Sequence, residues 1–256
     1  MDGPFRLIGA VLALAVLSHA SISDVRTRRV SDAHWAVLLC LGIPLSGMPS
    51  AVPPETSALY LLGSVPMALY ILSGRVQGAV AALVLAVSAA LFTAPLVLGL
   101  PGGDVCAASL ACCLLFALLH TAGLIAGGAD AKCLMSLALA IPGALPVPPA
   151  MAILITALAL TLCWIPVVAW RNIRSGHVGR GMLSSYSIRV DDADPVRHWP
   201  VERLEGGVPV RCRASYKDSR RILEELREAG AEEVRVTPSV PFILPITIAT
   251  ALVLLV

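Results

Sequence analysis

"LSHASISDVRTRRVSDAHWAVLLC" (17–40) is the stretch that decides the fold. An apolar run from about residue 5 leads into it, and a short loop with Arg26, Arg28 and Arg29 follows before the next apolar run begins. Apolar runs separated by basic loops are typical of helices that cross a membrane repeatedly. Because the positive charge follows the first run, we expect a retained first span with its N-terminus outside, not a signal peptide.

The composition of the chain excludes a soluble globular enzyme. Of the 256 residues, 57% are hydrophobic and 14% are charged, with a mean hydropathy of +0.82. Soluble domains average about 25% charged residues. Residues 171–240 hold 13 of the 19 Lys and Arg and 11 of the 17 Asp and Glu. This contrast predicts one soluble domain on a membrane body, and the balanced charge gives no sign of a nucleic-acid surface.

Eight apolar stretches approach the length of a membrane span, and several are shorter than the roughly 20 residues that a spanning helix usually needs. We therefore expect an all-α polytopic membrane protein with about eight transmembrane helices, within a range of six to eight. The stretches lie at about 5–22, 33–47, 57–72, 78–99, 105–125, 130–146, 150–170 and 241–256.

The basic residues in the short loops predict the orientation of the spans. If the loop after the first span is cytoplasmic, the other cytoplasmic loops hold Arg75, Lys132 and residues 171–240. Eight helices with both chain ends outside then place 18 of the 19 Lys and Arg on one side, and Arg6 alone on the other. The sequence thus predicts a multi-pass protein of the plasma membrane whose soluble domain faces the cytoplasm.

Residues 171–240 predict a small α+β module inserted before the last helix. "SSYSIRV" (184–190) and "GVPVRCRASY" (207–216) alternate apolar and polar residues as strands do, and a further strand is expected at 233–237. A short helix before that last strand is expected to be capped by Asp218 or a residue near it and stopped by Gly230. The predicted division is a membrane-embedded core (1–170), a soluble cytoplasmic domain (171–240) and a final transmembrane helix (241–256).

Two aspartates stand where predicted spans meet the cytoplasmic side. Asp24 lies where the first span leaves the bilayer, and Asp130, in "GGAD" (127–130), lies where the sixth span begins. An ionisable group at membrane depth is costly and is a functional-site hypothesis by default. Two carboxyl groups brought together in a low dielectric cannot both ionise. One can then take a proton from water while the other polarises a peptide carbonyl, as in an aspartic protease.

Several motifs, in this order along the chain, resemble one family. "GGAD" followed by Lys132 resembles the G-x-hydrophobic-D signature of type IV prepilin and preflagellin peptidases, which are membrane aspartyl proteases. "SDVRTRRVSD" (23–32), with Trp35 after it, is similar to the surroundings of their first aspartate. "AWRNIRSG" (169–176) and "RVTPSVPFILPITIA" (235–249) resemble the exit into, and the return from, the cytoplasmic domain of the archaeal preflagellin branch.

The resemblance implies a membrane aspartyl endopeptidase with Asp24 and Asp130 as its catalytic pair. The implied partners, beside the lipid bilayer, are archaellin-like or type IV pilin-like precursors. Their short basic leader would be cut on the cytoplasmic side, just before the hydrophobic segment. The two carboxyl groups and water suffice for this reaction, so we expect no metal and no organic cofactor.

The neighbouring residues have supporting roles in this hypothesis. Gly127 and Gly128 would let the backbone approach the substrate or the partner aspartate closely, because glycine tolerates conformations that other residues avoid. Lys132 would bind the substrate or anchor to phospholipid. Arg28 and Arg29 satisfy the orientation rule and could also guide the substrate.

Each acidic residue also has a plainer interpretation. Asp24 could pair with Arg28, one helical turn away, and Asp130 could be a helix N-cap. Asp32 is the runner-up acid, but "VSDAHW" (30–35) fits the cap of the second span, and Asp104 in "PGGD" falls on the outer side, away from Asp24.

Two other classes of protein compete with the peptidase. A proton- or ion-coupled transporter would use the same acids as a relay, although carriers more often place them near mid-span or show internal repeats. A non-catalytic assembly protein would need neither acid. The chain also departs from the family, since it predicts eight spans where preflagellin peptidases have six, and it lacks the tetracysteine zinc region of many bacterial prepilin peptidases.

Overall fold

A computed structural model describes residues 4–46, 52–73, 78–125, 127–143, 147–176, 182–212 and 216–255. The chain divides into two compact units. The first comprises Met1–Ala157 and Phe242–Val256, and the second comprises Leu158–Pro241.

Helices dominate the described residues. They are α1 (Pro4–Thr27), α2 (Asp32–Ser46), α3 (Pro54–Ser73), α4 (Gly78–Val97), α5 (Gly103–Thr121), α6 (Gly128–Ala140), α7 (Pro149–Leu162), α8 (Trp164–Arg174), α9 (Tyr216–Glu228) and α10 (Ile243–Leu255).

Within the described residues, five helical segments are long and apolar enough to cross a membrane. Two shorter apolar helices, in α2 and α10, and the 13-residue α6 lie where the remaining spans were predicted. The outer side chains of α4 are apolar, as contact with lipid requires, since Val80, Leu83 and Val87 are all exposed. The described residues are thus mostly helical, with five segments of membrane length, the last formed by α7 and α8 together, and the count of eight crossings stays a prediction. The five segments are Leu7–Thr27, Pro54–Ser73, Gly78–Val97, Gly103–Thr121 and Pro149–Arg174.

α6 lies in the middle of the first unit. It packs against α1, α2, α3 and α5, and every residue from Cys133 to Ala140 is buried. A helix that is covered on all sides needs small or apolar residues all round, which "CLMSLALA" (133–140) supplies. Trp35 and Phe116 belong to the same buried core. The first turn of α6 therefore carries Asp130 to the edge of this core.

The second unit contains a small antiparallel α+β fold. Strands β1 (Tyr186–Arg189), β2 (His198–Pro200) and β5 (Glu233–Pro238) form one sheet in the order β1–β5–β2, and β3 (Glu202–Glu205) pairs with β4 (Val208–Arg211) in a hairpin. α9 contacts β2 and β3. The buried core of this unit comprises Val168, Tyr186, Val190, Ala193, Ile222, Leu223, Leu226, Val234 and Val236.

The sequence patterns predicted only some of the strands of this unit. The strands predicted at 184–190 and 233–237 are confirmed as β1 and β5, whereas the predicted middle strand is shorter and ends at Arg211. Gly230 adopts a φ of 71° two residues after α9 and stops it, as predicted. α9 begins at Tyr216, so Asp218 lies in its first turn, and the residue before the helix lies outside the described residues. Strands β2 and β3 were not predicted.

Candidate functional site

Helix α1 ends one turn after Asp24. α1 ends at Thr27, and Arg28 adopts a left-handed conformation with a φ of 54°. The N–H of Arg28 donates to the carbonyl oxygen of Asp24 at 2.9 Å. This conformation costs a residue other than glycine roughly 1–2 kcal/mol, so the surrounding structure imposes the break. The chain then turns towards α2, and Asp24 stays at the helix end.

The carboxylate of Asp24 faces the N-terminus of α10. Its Oδ2 accepts a hydrogen bond of 3.4 Å from the N–H of Ile243, the first residue of α10. A helix N-terminus carries unpaired N–H groups and a partial positive charge, and both favour a carboxylate. The charge of Arg28 also acts on Asp24, in line with the pairing considered from the sequence.

Asp130 lies in the first turn of α6, which packs directly against α1. The charges of Asp24 and Asp130 are close enough to act on each other. The thiol of Cys133, one turn further along α6, lies within electrostatic reach of both. The fold thus places the two aspartates, which are distant along the chain, on helices that pack against each other.

Gly127, and not Asp130, is the N-cap of α6, so the alternative that Asp130 caps this helix is wrong. Asp130 is the third residue of the helix, where an acidic side chain still interacts favourably with the helix dipole. Gly127 has an extended backbone, with a φ of −88° and a ψ of 121°, which any residue can adopt. Its conformation is therefore not the reason for a glycine here.

The two glycines of the motif differ in the space around them. A Cβ atom on Gly127 would overlap Oδ2 of Asp130 and lie 2.9 Å from its Cγ, whereas a Cβ atom on Gly128 would meet only the ring of His120, at 3.9 Å. The prediction that both glycines let the backbone approach the substrate or the partner aspartate closely stays a prediction. Gly127 leaves room for the carboxylate of Asp130. The atoms nearest to a Cβ atom on Gly128 would lie at an ordinary van der Waals distance.

Lys132 forms an ion pair with Asp32 across α6 and α2. Its Nζ lies 2.8 Å from Oδ1 of Asp32, and the lysine side chain is 20% exposed. Asp32 is the first residue of α2, and the cap is Ser31, whose Oγ accepts the N–H of Ala33 at 3.2 Å. The cap predicted within "VSDAHW" (30–35) is confirmed, and Ser31 provides it. The binding of substrate or phospholipid by Lys132 stays a prediction, and its charge already has a partner in Asp32.

The remaining charged candidates are placed differently. Arg29 is exposed, and its carbonyl oxygen accepts hydrogen bonds from Ser23 and Thr27. Substrate guidance by Arg28 or Arg29 stays a prediction. Asp104 lies in the first turn of α5, whereas the end of that helix, at His120, borders Gly128. Because sixteen residues of helix span about 24 Å, Asp104 lies far from the aspartate pair.

An open groove runs between α1 and α10 beside Asp24, with a volume of about 430 Å³. Two of its lining residues, Val25 and Leu244, each follow a residue of the Asp24–Ile243 hydrogen bond along the chain. Ser21 and Thr247 hydrogen-bond across it at 2.7 Å. The sequence-based reasoning missed this groove, since nothing local indicates that α10 packs on α1. Its lining comprises Ser18, Ser21, Ile22, Val25, Arg26, Leu244 and Thr247.

Among the described residues, no group of three or more His, Cys, Asp or Glu side chains is arranged to hold a metal ion. His19 on α1 and His34 on α2 form a histidine pair. Nδ1 of His19 lies 2.7 Å from Nε2 of His34. His34 also hydrogen-bonds to the carbonyl oxygen of Ser31. The pair joins the two helices of the first hairpin.

Comparison with models of protein families finds none that matches this chain, and comparison with curated proteins finds no match either.

Proposed function

We propose that this protein is a membrane aspartyl endopeptidase that uses Asp24 and Asp130 to activate water. The observation that carries the proposal is the packing of α1, which bears Asp24, against α6, which bears Asp130, with the charge of Asp24 acting on Asp130. Two acids within electrostatic reach at a partly buried position can hold one proton between them. A residue that merely capped a helix or met a phosphate headgroup would not need an acidic neighbour from another helix.

The environments of the two acids suggest a division of roles. Asp24 accepts the N–H of Ile243 at the start of α10, and a helix N-terminus favours a carboxylate. Because the pair holds one proton, that proton then falls to Asp130. We therefore assign Asp24 as the general base and Asp130 as the general acid.

The reaction then follows from these roles. Asp24 takes a proton from water as the water oxygen bonds to the carbonyl carbon, and Asp130 donates its proton to the carbonyl oxygen. When the tetrahedral intermediate collapses, the bond between carbon and nitrogen breaks and the amine leaves with the proton held by Asp24. The carbonyl oxygen returns its proton to Asp130, which restores the pair.

We propose as substrates archaellin-like or type IV pilin-like precursors with a short basic leader and a hydrophobic segment. This choice rests on the resemblance of "GGAD" and the stretch around Asp24 to prepilin and preflagellin peptidases. The groove between α1 and α10 is compatible with it, because an apolar wall beside Asp24 suits a hydrophobic segment that follows the cleavage site. Cleavage would occur at the cytoplasmic face of the plasma membrane, where the orientation rule puts these helix ends.

The test is cleavage of a synthetic precursor by the full-length protein in proteoliposomes, with the products identified by mass spectrometry. Asp24→Asn and Asp130→Asn each remove an acid at nearly constant volume, so each should lower kcat by at least about a hundredfold. Asp104→Asn is the matched control, because Asp104 also lies in the first turn of a helix but far from the pair. Wild-type activity in either dyad variant would refute the proposed mechanism.

The same experiment separates the competing classes. A proton- or ion-coupled carrier, or a non-catalytic assembly protein, would cut no precursor in any variant. A carrier would instead lose substrate-driven proton or ion flux in Asp24→Asn and Asp130→Asn proteoliposomes. The position of both acids at helix ends favours the peptidase, since carriers more often hold their acids near mid-span.

A further inference from the structure

We infer that the ion pair between Asp32 and Lys132 positions Asp130 against Asp24, and this inference rests on the proposed peptidase function. The pair joins the first residue of α2 to the fifth residue of α6, at 2.8 Å. Asp130 lies two residues before Lys132 in the same helix. A constraint on Lys132 is therefore a constraint on the turn that carries Asp130.

α2 provides a common support for both helices of the site. It packs extensively against α1, which bears Asp24, and against α6, which bears Asp130. Direct packing between α1 and α6 is much more limited. The relative position of the two aspartates therefore depends mainly on how each helix is fixed to α2. The Asp32–Lys132 pair fixes α6 to α2 at the end of α6 that carries Asp130.

Lys132 does not need to touch the acids in order to matter. Side chains two positions apart on a helix project about 200° apart, so Lys132 points away from the direction of Asp130. The groups that act on the aspartates are Arg28 and the N–H of Ile243 at Asp24, and the charge of Asp24 at Asp130. Lys132 is thus a positioning residue and not a catalytic one, and the same holds for Asp32.

Most of the lysine side chain is covered, whereas Asp32 is half exposed, at 57%. An ion pair with one half-exposed partner adds little to global stability. Its loss should therefore leave the fold intact and shift the first turn of α6. A displacement of about 1 Å at a reacting group can cost roughly a hundredfold in rate, so the effect is expected in catalysis.

The experiment compares Asp32→Asn, Lys132→Met, the double variant and Lys132→Arg in the full-length protein with a precursor as substrate. We expect each of the first two to lower kcat about tenfold or more with little change in KM. The double variant should be no worse than either single variant, because one interaction is lost in all three. Lys132→Arg should recover most of the rate, and Asp104→Asn should behave as wild type.

A direct role of Lys132 on the substrate predicts a different pattern. Lys132→Met would then raise KM, whereas Asp32→Asn would leave both kinetic constants at their wild-type values. That pattern, or strictly additive effects of the two substitutions, would overturn the positioning role.

A second measurement does not depend on peptidase activity. Cys133 is fully buried and lies within electrostatic reach of both aspartates. Its alkylation by N-ethylmaleimide, followed by mass spectrometry in the otherwise unaltered chain, should be faster in Asp32→Asn and Lys132→Met than in wild type. If the wild-type protein cuts no precursor, the proposed function fails, and the alkylation rate of Cys133 then tests the positioning role by itself. Unchanged alkylation in both variants would then reject it.

Discussion

The carboxylate of Asp130 occupies the space that a side chain on Gly127 would need. Gly127 immediately precedes α6, and Asp130 folds back over it from the first turn of that helix. The short spacing between glycine and aspartate is thus a steric relationship, in which a missing Cβ atom determines where a carboxylate can lie.

Substitution by alanine should have different effects on activity at Gly127 and at Gly128. Gly127→Ala should lower kcat roughly tenfold to a hundredfold, because the added methyl group displaces the carboxylate of Asp130. Gly128→Ala should keep wild-type kcat, since its methyl group would meet only His120 at ordinary contact distance. The measurement is precursor cleavage alongside the melting temperature. The melting temperature should change little in both variants, because the flexible end of Asp130 can move. Equal activity of the two variants would contradict this account.

Asn172 should be essential to the local stability of the second unit. Its buried side-chain amide donates to the carbonyl oxygens of Met182 and Ser185 at 2.6 and 2.7 Å. Asn172→Ala leaves these acceptors without their donor and should cost about 1–3 kcal/mol. Hydrogen exchange of the amides in β1 measures this opening free energy. Arg174→Ala, at an exposed position of the same helix, is the control and should leave exchange unchanged.

The second unit should lose stability in mild acid through His198. Burial lowers the pKa of His198, and Arg171 and Arg197 add to this effect while Asp194 opposes it. The N–H of Asp194 donates to Nδ1 of His198 at 3.0 Å, which requires a neutral ring. The folded unit therefore binds fewer protons at this site than the unfolded chain does. Its stabilisation is complete above the ordinary histidine pKa of about 6.5 and is lost as the pH falls through the folded pKa.

The measurement is hydrogen exchange of the amides in β2 between about pH 7.5 and pH 5.5, corrected for the intrinsic pH dependence of exchange. Protection should fall with pH in the wild-type protein. His198→Gln removes the titrating group and should flatten this profile. An acid-induced loss of the same size in His198→Gln would show that another group is responsible.

Thiol labelling of intact cells should place Arg29 and Asp104 on opposite sides of the membrane. The orientation rule puts the loop after α1 in the cytoplasm and the turn before α5 outside. A membrane-impermeant maleimide, read by mass spectrometry at the introduced cysteine, should label Asp104→Cys in intact cells. It should label Arg29→Cys and Glu225→Cys only in inverted vesicles. Labelling of positions 29 and 104 from the same side would exclude the proposed topology.

One of the two strands that the sequence analysis did not predict carries a recognisable signal. "EGGV" (205–208) contains adjacent glycines that both adopt a positive φ in the turn between β3 and β4, and such a pair is a strong signal for a hairpin. β2 has only three residues, too few for an alternating pattern to stand out. Its place in the sheet is set by pairing with β5, which lies far along the chain.

The sequence by itself determined the apolar helices, the strands β1 and β5, the stop of α9 at Gly230 and the choice of Asp24 and Asp130 as candidates. These features depend on local hydrophobicity, charge and backbone preference, which act within a few residues. Only the tertiary structure decided that Ile243 donates to Asp24, that Lys132 pairs with Asp32 and that Gly127 lies under a carboxylate. Such contacts depend on how whole helices pack. The residues that pack together are far apart along the chain, so no short stretch of sequence contains them all.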